Sequence, residues 1–119
     1  MRTNTPRNEL HNKYWTTSYP TVATLPMAAI VQAVANLDFK KIRVPALFYY
    51  SLNDKVVNPE ATGDVARQWG GKTKTINVIM TKEDDVYSHI IAGDIVSPKQ
   101  TSYAVRQMVK WIKNMAHFH

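Results

Sequence analysis

Cysteine is absent from the 119 residues, which excludes disulfides and thiolate metal sites and leaves the redox compartment open. No apolar run approaches the roughly 20 residues needed to span a bilayer. The N-terminus, with Arg2 and Arg7 among Asn and Thr, lacks the apolar core of a secretory leader. A cytoplasmic location is the expectation. Internal repeats, low-complexity tracts and convincing linkers are missing too. Acidic residues are few: nine Asp and Glu against fifteen Lys and Arg, a formal charge of +6. That surplus invites a nucleic-acid reading, but the bases are dispersed. The densest group, Lys40-Lys41-Arg43, is short and precedes an apolar strand, and no stacking aromatics interleave with it. No specific nucleic-acid partner is expected.

What is present is ordinary for a globular chain, with 45% hydrophobic and 20% charged residues. The length suits one domain with a real core. Residues 1–12 are polar and without periodicity and read as a mobile arm, with His11 solvated. Lys13 to Pro20 is an aromatic, hydroxyl-rich connector whose Trp15 and Tyr19 read as pinning a loop to the body. Thr24 to Leu37 predicts a helix, capped by Thr24 and started by Pro26. Met27, Ile30, Val31, Val34 and Leu37 follow helical spacing with Ala between. A helix apolar nearly all round expects burial on more than one side.

The centre of the chain is Val44-Pro45-Ala46-Leu47-Phe48-Tyr49-Tyr50-Ser51-Leu52-Asn53-Asp54. Its first half predicts a strand buried on both faces, as in a parallel sheet. Its second half ends on a carboxylate where the strand stops. In open α/β sheets functional groups collect beyond the carboxyl ends of the strands, and Asp54 is placed there. The competing reading is a turn aspartate bonded to its own backbone. A helix follows, with Asn58 as cap and Pro59 at its first position. It carries Ala61, Val65, Ala66 and Trp69 on one side and stops at Gly70-Gly71. Thr75 to Met80 predicts a second strand. An acidic loop, Lys82-Glu83-Asp84-Asp85, then leads to His89. A crossover makes the two strands parallel and sends both loops out at one sheet edge, so that Asp54 and His89 face each other.

Ile42 to Leu47, Ser51-Leu52-Asn53-Asp54-Lys55-Val56-Val57 and Ser88-His89 together resemble the C-terminal part of α/β-hydrolase-fold serine hydrolases. The nearest branch is the lysophospholipase and carboxylesterase-like one. The likeness extends roughly from Trp15 to Lys113 and is specific from Ile42 to His89. It implies Asp54 as the triad acid and His89 as the triad base, in the chain order serine, acid, histidine. It also implies a lid-exit connector within residues 1–22, whose Trp15 and Tyr19 would then border a substrate pocket, and residues 23–119 as the C-terminal part of the hydrolase domain. The chain departs from the family in having no G-x-S-x-G nucleophile elbow and no earlier strands to hold one. Ser51 ends a strand without flanking glycines, and Ser88 points away from attack if His89 faces the site. The resemblance therefore implies part of a hydrolase acting on an ester or acyl substrate, with no cofactor. It also predicts self-association or pairing with a missing N-terminal half. The contrary reading is a stand-alone basic α/β interaction module in which Asp54 and His89 have no joint role.

Beyond His89, Gly93 supports a turn and Asp94 is a turn residue or an outer partner of the histidine loop. Asp54 suits the acid position better. Ser97-Pro98-Lys99-Gln100 reads as a capping box opening the last helix. That helix runs to about Met115 with Val105, Met108, Val109, Ile112 and Met115 on one stripe. His117 and His119 form an H-x-H without a third ligand, and no metal is expected there.

Overall fold

The computed structural model describes residues 1–116. They form two compact units, one from Met1 to Asp38 and one from Phe39 onward. His117 and His119 lie outside the described residues.

The first unit is ordered where an arm was expected. Strand β1 (Arg2–Thr3) pairs antiparallel with β2 (Ser18–Tyr19), and helix α1 (Glu9–Tyr14) lies between them in sequence. The expectation missed the cap: Asn8 Oδ1 accepts the N–H of His11 at 2.8 Å. His11 is buried rather than solvated. Its Nδ1 accepts the Arg7 N–H at 3.0 Å, and its ring meets Trp15 edge-on. Helix α2 (Thr24–Ala35) ends two residues earlier than its apolar pattern, and no side chain caps it. Thr24 Oγ1 donates instead to the Thr21 carbonyl at 2.7 Å. Burial of α2 on several sides is not found, for none of its residues is buried. Leu25, Met27, Ile30 and Val31 all lie open.

The second unit is mixed α/β. Strand β3 (Ala46–Tyr50) pairs in parallel with β4 (Thr73–Asn77), from Ala46 opposite Thr73 to Tyr50 opposite Asn77. Helix α3 (Pro59–Gln68) connects them. Its start is as the sequence predicts, with Asn58 Oδ1 accepting the Glu60 N–H at 2.9 Å and Pro59 in the first turn. Trp69 follows the helix as a hub. Its ring stacks on Phe39 and meets Phe48 edge-on, and Nε1–H donates to the Val44 carbonyl at 2.8 Å. This bond ties the half-buried indole to the segment that leads into β3.

Three expectations change here. Strand β4 begins two residues before Thr75, because Lys72 and its successors continue the ladder started by the Ala46 N–H on the Lys72 carbonyl. Strand β3 is half-buried throughout rather than buried on both faces, since it has one strand neighbour. Helix α4 (Pro98–Ala116) turns its apolar stripe outward: Val105, Met108, Val109 and Ile112 are exposed. Ala104 is buried instead, and Gln107 and Trp111 lie with Lys74 and Ile76 of β4. Polar anchors at its first turn fix this rotation. Gln100 Nε2–H donates to Asp84, and Thr101 Oγ1 joins the Gly93 N–H and Asp94.

Gly70 and Gly71 pass so close to the preceding segment that an added Cβ would collide with the carbonyls of Lys40 and Val44. Gly70→Ala is expected to lower unfolding free energy by roughly 1–3 kcal/mol, the range of an overpacked site. Gly93→Ala meets open space at φ 112° and carries only a left-handed backbone cost of roughly 1–2 kcal/mol. Urea titration of the two variants checks that Gly70 is the more sensitive.

Candidate active site

Two loops leave the carboxyl ends of β3 and β4, and several bonds tie them together. The Leu52 N–H donates to Asn77 Oδ1 at 3.0 Å, linking the strand ends. The Lys55 N–H donates to the Tyr87 carbonyl at 2.9 Å, and Lys55 Nζ reaches the Val86 carbonyl. Ser51 is fully buried and its Oγ accepts the Asn53 N–H at 3.2 Å, tightening the first turn. It holds a bend and offers no exposed nucleophile.

Asp54 closes a turn and also reaches His89. Its Oδ1 accepts the N–H groups of Val56 at 2.8 Å and Val57 at 3.0 Å, an Asx turn. Its Oδ2 lies 2.8 Å from His89 Nδ1. Only 9% of the Asp54 side chain is exposed, against 40% for His89. Burial pushes the Asp54 carboxyl up. The Val57 N–H, the His89 ring, the Val56 N–H and the charge an imidazolium would carry together outweigh it, leaving the group below its ordinary 3.8. An ionised carboxylate only accepts, so the proton of this bond sits on Nδ1. In the neutral ring that leaves Nε2 as a bare acceptor, and no described residue occupies it.

The loop that carries His89 is held from within by a residue the sequence reading passed over. Asp85 is 2% exposed. Its Oδ1 accepts the Tyr87 N–H at 3.0 Å, and its Oδ2 accepts those of His89 at 3.1 Å and Ile90 at 2.8 Å. Ser88, between them, adopts φ 52°. That left-handed turn brings successive N–H groups round to one carboxylate. Ser88 itself is buried. Ser97 does not form the expected capping box. Its Oγ accepts the Asp85 N–H at 3.1 Å and donates to the Ile90 carbonyl at 2.5 Å. Gln100, the other half of that box, turns to Asp84 and the Ile79 carbonyl. The sequence signal for Asp85 was its place four residues before His89 in a stretch without helical period, where Asp favours loop backbone bonds.

Asp84, beside it, is buried as well. Its Oδ2 accepts from the Thr81 N–H, the Thr81 hydroxyl and Gln100 Nε2, each at 2.8 Å. Burial raises this carboxyl too, but Gln100 and the two Thr81 donors hold it below 3.8. Asp94 accepts from Thr101 Oγ1 at 3.1 Å and belongs to the start of α4. Among the described residues no group of His and carboxylates is placed to hold a metal. No described helix is long and apolar enough to cross a membrane. A concavity of about 540 Å³ lies at the opposite, amino-terminal ends of the strands, lined by Arg43, Pro45, Lys72 and Trp111 among others. It is remote in the sheet from Asp54 and His89.

The depressed carboxyls of Asp54 and Asp84 carry a sign. Each folded value lies below the unfolded one, so the stabilisation is complete above 3.8 and is lost as pH falls through the folded values. Thermal melts on an acid series are expected to drop steeply below that point. Asp84→Asn should flatten the drop while lowering the melting temperature near neutrality.

Comparisons with protein-family models, with curated proteins and with solved structures found no match to this chain.

Proposed function

We propose that the chain supplies the acid and base of a serine hydrolase that cleaves ester or acyl bonds, as the C-terminal part of an α/β-hydrolase domain. The observation that carries this reading is the 2.8 Å contact between Asp54 Oδ2 and His89 Nδ1 at the carboxyl ends of two parallel strands. A triad acid fixes the imidazole tautomer and stabilises imidazolium, and a triad base keeps its other nitrogen free for a hydroxyl. Asp54 and His89 meet both demands. The nucleophile and the oxyanion donors belong, on this reading, to a segment outside these 119 residues. No G-x-S-x-G occurs among them. The substrate is an ester or acyl compound, and no cofactor takes part.

The experiment joins the chain to the in-frame upstream coding segment and assays p-nitrophenyl esters of short and long acyl chains. Turnover that requires an upstream serine and disappears with His89→Ala supports the reading. Turnover independent of any serine, or none at all, sinks it.

The same reading predicts association. From the Ala46 N–H and the Tyr50 carbonyl, the even-numbered residues of β3 bond toward β4. In a parallel ladder the backbone groups of Leu47 and Tyr49 then point to the other edge. Strand β4 has the character of a protected edge, with Lys72 and Lys74 in or beside it. Strand β3, Ala-Leu-Phe-Tyr-Tyr, does not. The open edge of β3 is therefore where the missing strands, or a second copy, should add. Sedimentation velocity of the chain alone is expected to show concentration-dependent self-association, and a clean monomer at high concentration counts against it.

A further inference from the structure

We infer that Asp85, braced by Ser97, is the positioning residue that aims His89 at Asp54. The inference deepens the hydrolase reading, on which its catalytic meaning rests, and the contact it concerns can be measured without that reading. His89 sits in a loop with no regular backbone pairing of its own, yet its Nδ1 must come within 2.8 Å of a carboxylate on another loop. A single buried carboxylate fixes the backbone on both sides of it, through the N–H groups of Tyr87, His89 and Ile90. The bond from the His89 N–H sets the Cα from which the ring projects. The Asp85 backbone is anchored in turn, because its own N–H ends on Ser97 Oγ. The same hydroxyl donates to the Ile90 carbonyl, so the loop is closed at its far side. Ser97 immediately precedes α4, and the helix thereby becomes the support of the histidine loop.

The arrangement requires acceptors on both oxygens of residue 85. Oδ1 serves Tyr87 and Oδ2 serves His89 and Ile90. Asn at this position sets an NH₂ group against at least one N–H in either rotamer. A buried donor facing a donor forfeits the bond and leaves both groups unsatisfied. Asp84 gives an internal control. It is the adjacent residue, similarly buried and with three donors on one oxygen, but these come from Thr81 and Gln100 and not from the histidine backbone.

The test is nitrogen-15 and proton NMR of the imidazoles in the purified chain and in Asp85→Asn, Ser97→Ala and Asp84→Asn. In the unaltered chain His89 is expected as a single tautomer, protonated at Nδ1, with a downfield, slowly exchanging proton. Asp85→Asn and Ser97→Ala are expected to mix the tautomers and to speed exchange of that proton at least about tenfold, the shift that one lost buried bond brings. Asp84→Asn is expected to lower the melting temperature and leave the His89 spectrum unchanged. An unchanged tautomer and exchange rate in Asp85→Asn or Ser97→Ala overturns the inference. So does an equal change in Asp84→Asn, which would make the effect one of general stability. If Asp85→Asn does not fold, Ser97→Ala alone decides, since Ser97 caps α4 through its carbonyl and not its hydroxyl. The absence of serine-dependent turnover in the longer polypeptide would remove the hydrolase reading and leave this result standing.

Discussion

In a polypeptide that joins this chain to a nucleophilic serine, Asp54→Asn is expected to lower kcat about 10⁴-fold, with KM little changed. The loss follows from the Asx turn at this residue. Val56 and Val57 both donate to Oδ1, so an asparagine keeps its carbonyl oxygen there. Its NH₂ then faces His89 Nδ1, at the place where Oδ2 now lies 2.8 Å away. A donor in that position drives the imidazole proton from Nδ1 to Nε2, and the base loses its acceptor. The fold should survive, because the turn is preserved. His89→Ala is expected to lose as much or more, and the double variant no more than the worse single one, since residues acting as a unit are not additive. The depressed Asp54 carboxyl adds a pH condition. The group is already ionised above 3.8, so any fall in kcat at higher pH values belongs to another group. A ten-fold loss or less in Asp54→Asn, with the same tautomer by NMR, would remove Asp54 from the acid role.

The parts of this architecture legible in the sequence were those with a local chemical signature. Asn58-Pro59 announces a helix start whatever surrounds it, and the bond from Glu60 N–H to Asn58 is the one anticipated. The Ala46 to Tyr50 run announces a strand, and its end places Asp54 beyond the sheet. The facing of Asp54 and His89 needed one further step, the parallel topology, and the observed register provides it. Features set by tertiary choice were not legible. The apolar stripe of α4 has good helical period, but the helix is clocked by Gln100 and Thr101, whose partners Asp84, Gly93 and Asp94 lie in the preceding loop. The capping-box pattern at Ser97 is genuine as a pattern, yet the hydroxyl has stronger claims on it from Asp85 and Ile90. Asp85 stood in the sequence only as one residue of an acidic loop, because bonds from a carboxylate to backbone N–H groups leave no periodic trace. His11 reads as solvated for the same reason: its partner is the Arg7 backbone, four residues back.

The 119 residues by themselves are expected to hydrolyse p-nitrophenyl esters, short or long, at no more than background rates. An imidazole positioned by a carboxylate assists a hydroxyl and does not replace it. The serines at the two loops are buried: Ser51 Oγ accepts the Asn53 N–H, and Ser88 is buried within the histidine loop. Neither hydroxyl is hydrogen-bonded to the His89 ring, whose partner is Asp54. Loss of one oxyanion donor costs about 10²–10³ in turnover, and loss of the nucleophile removes the covalent route. His89 retains a free Nε2 and 40% side-chain exposure, so it can accept a proton from water. A water molecule activated there has no substrate carbonyl held beside it, and proximity supplies much of an enzyme's advantage. Activity in the pure chain that survives His89→Ala marks a contaminating hydrolase. Activity that His89→Ala abolishes shows that these residues already contain a complete site, and the reading of the chain as the acid-base half of a larger enzyme then fails.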